Sequence, residues 1–187
     1  MEILVISGKS ASGKDTFANL MRKKLEENGC RCLTIHFADL VKEYLKMYYG
    51  WDGNKDEQGR AMLQSLGTDK VRAQDPDYWS ECVARFLAVA SHYDDFDVAF
   101  VPDARFENEI EIVKKYNPQA ITIRMERYNE DGTNYENPLL TKEQLNHPSE
   151  TSLDTYEEFD YFIENRGGLD WLENAAEIVL LDTRLLA

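Results

Sequence analysis

A chain of 187 residues is long enough for one domain with a sizeable core, and 43% hydrophobic with 30% charged residues excludes a disordered chain. A net charge of −14 argues against DNA, RNA or an anionic membrane as partner, because Lys and Arg hold such surfaces. No apolar run approaches the ~18 residues of a membrane span, the start lacks a signal peptide's basic and apolar regions, and three cysteines, an odd number, fit a reduced cytoplasmic protein.

The first strand is predicted over 3–7, apolar on both faces as a central parallel strand should be. It runs into Gly8–Thr16, GKSASGKDT, which opens a helical pattern. This is the spacing of a phosphate-binding loop, GxxxxGK followed by a hydroxyl residue. Small residues (Gly8, Ser10, Ala11, Ser12, Gly13) let successive backbone N–H groups turn toward one anion, the helix start adds its positive end, and Lys14 reaches the outer phosphates of a nucleoside triphosphate. Asp15 stands where many such loops have Ser or Thr, and the hydroxyl comes one place later, at Thr16. Two roles suit Asp15: holding magnesium through water, or capping the helix N-terminus.

A helix over 14–28 carries Phe17, Leu20, Met21 and Leu25 on one stripe, with Gly29 as its stop. A second strand is predicted over 32–37. Cys30, Cys32 and His36 lie on one strand face, but no fourth ligand accompanies them, so packing is the reading taken. Asp39 could cap a helix over 39–49 closed by Gly50. Residues 51–58 read as a polar turn, 60–66 as a short helix ending at Gly67, and Asp75-Pro76 as the cap and first turn of a helix bearing Trp79, Cys82, Val83, Phe86, Leu87 and Ala90. A third strand over 97–102 ends at Asp103, followed by a helix over 107–116 and a fourth strand over 120–125. Residues 126–151 form a long polar stretch, of the kind that is usually functional or disordered. A short strand over 161–164 and an amphipathic helix from Gly168 close the chain.

This alternation predicts an α/β layer with a mostly parallel sheet. Ligands in such sheets bind beyond the carboxyl ends of the strands, which selects Gly8, Asp39, Asp103 and the 124–127 segment. Phosphoryl transfer needs cations, a magnesium site and in-line placement. Lys14, Arg105, Arg124 and Arg127 are the candidate cations. Asp103 stands where a carboxylate holds magnesium or its waters, with a helix cap as its other reading. Asn54-Lys55-Asp56-Glu57 looks like a guanine-reading box, but it ends in Glu, follows no strand and comes too early; no DxxG switch follows the third strand either.

These residues resemble the phage-type deoxynucleoside monophosphate kinases of the P-loop kinase superfamily. The resemblance spans most of the chain: GKSASGKDT at 8–16, FADLVKE at 37–43, LQSLGTDKVRAQDPDYW at 63–79, PDARFENE at 102–109, HPSETSLD at 147–154 and IENRGGLDWL at 163–172. The first segment is common to the superfamily, and the third and fourth are more telling of the subfamily. The last also resembles dephospho-coenzyme A kinases.

The resemblance implies a single three-layer α/β/α P-loop domain over 1–187, with a five-stranded parallel sheet of order 2-3-1-4-5. A lid would occupy about 126–151, and an acceptor-binding region about 38–95. ATP and Mg2+ are the implied cofactors. Asn165 and Arg166 would border the adenine, Arg72 would meet the acceptor phosphate, and Asp77, Tyr78 and Trp79 would neighbour its base or sugar. Asp39, Asp103 and Arg105 complete the expected acceptor site; Lys14, Asp15, Arg105 and Arg127 are the expected catalytic group, with Asp15 and Asp103 at the metal. The lid offers Arg127 and Lys142 as cations.

The leading reading is ATP-dependent transfer to a (deoxy)nucleoside monophosphate. The alternatives are a small-molecule kinase, such as a dephospho-coenzyme A or phosphomevalonate kinase, and a nucleotide-binding protein that has lost transfer. Oligomeric state stays open, a homodimer included.

Overall fold

A computed structural model describes residues 1–93 and 95–186. Five parallel strands, β1 (Glu2–Gly8), β2 (Cys32–Thr34), β3 (Val98–Ala104), β4 (Ile121–Arg127) and β5 (Tyr161–Asn165), form one sheet of order β2-β3-β1-β4-β5. This is the expected α/β P-loop architecture.

The central strand explains the layering. Ile3, Leu4, Val5 and Ile6 are each no more than 2% exposed, so both sheet faces must be covered. On one face Ile3 and Val5 pack with Val83 and Leu87 of α4 (Tyr78–His92) and Ile110 and Val113 of α5 (Glu107–Tyr116). On the other, Leu4 and Ile6 meet Phe17, Met21 and Leu25 of α1 (Lys14–Glu27) and Leu172, Ala176 and Val179 of α8 (Leu169–Asp182). Cys30 and Cys32 pack against this second cluster. A third cluster, Val41, Leu45, Trp51, Leu66 and Trp79, gathers α2 (Asp39–Tyr49) and the chain after it beside the carboxyl rim of the sheet. Burying a large apolar side chain contributes roughly 1.5–3 kcal/mol, so even this small cluster can hold its segment in place.

Several boundaries differ from the sequence expectation, each for a tertiary reason. β2 ends at Thr34 rather than at residue 37. Ile35 still donates to the Phe100 carbonyl, but Pro102 offers no N–H beyond it, and the Asp103 carboxylate takes the amides of Phe37 (2.9 Å) and Ala38 (3.1 Å), turning the chain into α2. The β1–β3 register also shifts between Val5 and Ser7, so β3 carries an extra residue beside Pro102.

Gly67 does not stop its helix. After α3 (Glu57–Gln64), which starts at Glu57 on an Asp56 cap, the chain continues as a π-helix, Ser65–Arg72. The Gly67 carbonyl accepts the Trp79 indole N–H (3.1 Å), which holds that turn in place. Asp75-Pro76 forms a turn instead of a helix start. α4 begins at Tyr78, and the Pro76 carbonyl accepts from Arg72 and from Asn108 of α5. Residues 51–58 are not wholly polar surface, because Trp51 is buried and donates to the Asn54 carbonyl. The long 126–151 stretch holds two short helices, α6 (Lys142–Leu145) and α7 (Pro148–Thr151). No helix among the described residues is long and apolar enough to cross a membrane.

Candidate active site

The loop after β1 has the backbone of an anion nest. Ala11 (φ 60°) and Gly13 (φ 102°) have the positive φ of left-handed backbone, the kind of alternation that turns successive N–H groups to one side. Gly8 is required for a second reason: at φ 153°, a Cβ there would lie 2.5 Å from the Met125 carbonyl oxygen. Lys14 is buried, with its ammonium donating to the Lys9 carbonyl at 3.0 Å. Burial, reinforced by nearby Arg105, lowers its pKa to about 7. A phosphate would restore the proton, so the lysine is tuned to a strong anion.

A cavity of about 310 Å³ opens beside this loop at the carboxyl rim. Lys14, Lys42, Lys55, Arg60, Arg72 and Arg105 line it: six of the 21 Lys and Arg in a chain of net charge −14. Apolar walls come from Phe37, Val41, Leu63, Trp79 and Phe106. The arrangement is a cationic floor leading from the phosphate-binding loop to a partly aromatic chamber.

Two carboxylate networks brace it. His36 bridges Asp15 (3.5 Å) and Asp39 (3.2 Å), and the two hold its pKa up to about 9, so it is an imidazolium at neutral pH. His36 in turn holds Asp15 below the usual carboxylate range. Burial pushes Asp39 upward, but hydrogen bonds from His36 and Lys42 outweigh it and keep the carboxyl below its ordinary range. Deeper in the cleft, Glu109 is buried; burial raises its pKa to about 7, against the pull of Arg72 and of the Arg105 and Phe106 amides.

Of the residues expected in the site, Lys14, Asp15, Arg72, Trp79, Asp103 and Arg105 all line the cavity. Arg105 donates to Glu150 (2.8 Å) and to the Ser149 carbonyl. Trp79 is buried, with its indole N–H already engaged. Both Asp103 oxygens accept backbone amides of the residues just before α2, so Asp103 pins the turn into α2; it does not cap α5, where Glu109 makes the capping contact. Asp39, Asp77 and Tyr78 do not line the cavity. Asp39 is engaged by His36 and Lys42, and Asp77 by Asn108.

Asp15 makes no side-chain cap; its carboxylate is largely exposed and faces His36. Arg124 is buried between Ser7 and Asp154, an internal tie of the sheet. Arg127 donates to the Ala11 carbonyl of the loop and lies over the Tyr135 ring. Asn165 donates to the Ser12 carbonyl of the loop, whereas Arg166 lies over Tyr128 and pairs with Glu164; neither lines the cavity.

Lys42, Arg60, Glu109 and Glu150 also belong to the cavity wall without standing out in the sequence, Lys55 lines it although its guanine-box pattern fails, and His36 is a bridging residue rather than a packing one. Glu109 carries a local signal as the third helical residue of α5, capping the Phe106 amide, but its place in the cleft comes from Arg72, 37 positions away.

Comparisons with known proteins add to this geometry. A sugar kinase from Janibacter sp. HTCC2649 superposes with a TM-score of 0.54 at 15% identity, covering 100% of this chain and 98% of that one. The Mycobacterium tuberculosis APS kinase in complex with AMPPNP and APS superposes with a TM-score of 0.51 at 14% identity, covering 97% of each chain. At these identities the likeness shows the fold alone. No curated protein sequence matches the chain. The deoxynucleotide monophosphate kinase family matches residues 51–176, a span that excludes the phosphate-binding loop, so loop and family are independent observations. The chain is a kinase and belongs to the deoxynucleotide monophosphate kinase family.

Proposed function

We propose that the protein, as one P-loop kinase domain, transfers the γ-phosphoryl group of ATP to a (deoxy)nucleoside monophosphate. The observation that carries this reading is the cavity, whose cations run from Lys14 to Arg72 between apolar walls. A nucleoside monophosphate has that form, an anionic phosphate on a flat apolar base. In this reading the loop amides from Gly8 to Thr16 hold the triphosphate, Asn165 and Arg166 border the adenine, and Arg127 steadies the loop from its outer side. Residues 38–95 hold the acceptor, and 126–151 form the lid.

The oxygen donors at the loop mouth suit magnesium: the exposed Asp15 carboxylate and the Thr16 hydroxyl would hold it. Asp103, with both oxygens on amides, would reach only a bound water. When present the ion neutralises charge on the phosphates. The chain's own part is to position and to neutralise. Lys14 and Arg105 converge where the phosphoryl moves, and the fixed Asp103 and Glu109 carboxylates keep the cleft walls from shifting.

A phosphate acceptor is already ionised, so no general base is required. A hydroxyl acceptor, as in dephospho-coenzyme A kinases, would need one. Asp39 does not line the cavity, being engaged by His36 and Lys42, and Asp103 is engaged by amides, which favours the phosphate acceptor. The test is a panel of nucleoside and deoxynucleoside monophosphates incubated with ATP and Mg2+, with diphosphate read by chromatography. Formation from at least one is expected, and formation from none overturns the reading.

A further inference from the structure

Three side chains of the segment after β4 reach back to the first residues of the phosphate-binding loop. Asn137 donates to the Ser10 hydroxyl (2.9 Å), Glu150 accepts the Ser10 backbone N–H (2.7 Å), and Asp154 accepts from the Lys9 ammonium (2.7 Å). Of the three, Glu150 alone lines the cavity. Its second oxygen accepts from Arg105 at 2.8 Å, and its side chain is 10% exposed. One carboxylate therefore joins a loop amide to the cleft's arginine, and its charge is felt by Lys14.

That is the environment a phosphoryl group in transfer requires: a backbone N–H, a guanidinium and an ammonium around one small planar anion. A carboxylate and a phosphoryl oxygen cannot share those donors, because like charges a few ångströms apart in a partly dry cleft repel strongly. Glu150 belongs to α7, a single turn outside the sheet whose first residues are held by the His147 ring accepting the Ser149 N–H.

We propose that Glu150 is a positioning residue of the transfer site: its carboxylate holds Arg105 and the Ser10 amide in place and hands both to the incoming phosphate. The inference rests on the phosphoryl-transfer reading above. It means that phosphate binding competes with an internal anion, and that Arg105 is aligned before the nucleotide arrives.

The test is calorimetric titration of wild type, E150Q and D154N with inorganic tripolyphosphate and with ATP, without acceptor. E150Q keeps the side chain's size and loses its charge, so it should bind tripolyphosphate roughly three- to tenfold more tightly. In turnover its KM for ATP should fall, and kcat should fall about tenfold or more as Arg105 loses its alignment. D154N loosens the same segment from outside the cavity and should show no such tightening. Equal or weaker binding of tripolyphosphate by E150Q, with wild type binding normally, overturns this inference alone. Failure of the wild type to bind either probe overturns the nucleotide reading with it.

Discussion

Arg72 and Glu109 form an ion pair inside the cavity, with side chains only 11% and 3% exposed, and the same guanidinium lies over the Phe106 ring, 4.2 Å from its centroid. The cavity is thus walled by a charge pair formed within the chain itself. Glu109 also accepts the amides of Arg105 and Phe106, so it fixes the turn that presents Arg105.

Removing one partner of such a pair leaves an uncompensated buried charge. Glu109→Ala should therefore cost about 3 kcal/mol or more in urea denaturation, while the double replacement Arg72→Ala with Glu109→Ala should cost less than the sum of the two singles. Arg72→Ala alone should raise KM for the acceptor far more than it changes ATP binding. Strictly additive stability effects would show that the pair is not energetically coupled.

His36 gives the protein a pH-dependent tie between the phosphate-binding loop and α2. Its pKa of about 9, set by Asp15 and then by Asp39 with Asp103 nearby, lies above the ordinary 6.5. The folded state then holds the proton more tightly than the unfolded chain. The tie's stabilisation is full below about pH 6.5 and is lost as pH rises through about 9. Urea midpoints of wild type and His36→Asn should differ most near pH 6 and converge by about pH 10. A gap independent of pH would assign His36 a packing role only.

Lys14 should show the opposite slope. The unfolded chain keeps this proton to about pH 10.4, whereas the folded, ligand-free protein loses it above about 7, so the burial penalty is full below 7 and relieved toward 10. Lys14→Met should accordingly melt higher than wild type at pH 6, with the advantage shrinking by pH 9.5. The same substitution should abolish transfer, since no other cation lies buried within the loop. A Lys14→Met protein that melts lower at pH 6 would contradict the burial argument.

The parts of the fold readable from sequence are those in which cause and effect are neighbours. β1 and the loop after it are contiguous, and the run of four buried residues followed by GKSASGKDT is its own explanation. The end of β2 was not readable, because it is set by Pro102 and Asp103, some 65 positions on. The continuation of α3 through Gly67 depends likewise on the Trp79 indole. Lys14 and Arg105 could be placed from strand ends, but the identity of what faces Arg105 could not. HPSETSLD stood out as a segment of the resemblance, and only the structure shows Glu150 reaching the Ser10 amide.

Gly59 provides the last test, because its environment reverses an ordinary rule. In an exposed helix, Gly to Ala is expected to stabilise by roughly 1 kcal/mol. Gly59 lies in the first turn of α3 with its N–H on Asp56, and a Cβ there would come 2.0 Å from the Asn54 carbonyl oxygen and 2.7 Å from the Trp51 indole nitrogen. Those two atoms are hydrogen-bonded to each other, and Trp51 belongs to the cluster whose Val41 and Trp79 line the cavity. Neither can yield without unseating the indole. Gly59→Ala should therefore destabilise by about 2–4 kcal/mol and raise KM for the acceptor, with ATP affinity nearly unchanged because the phosphate-binding loop lies outside this cluster. Urea denaturation with ATP titration measures both, and a Gly59→Ala protein more stable than wild type would mean that the 51–59 turn relaxes freely and does not hold the chamber.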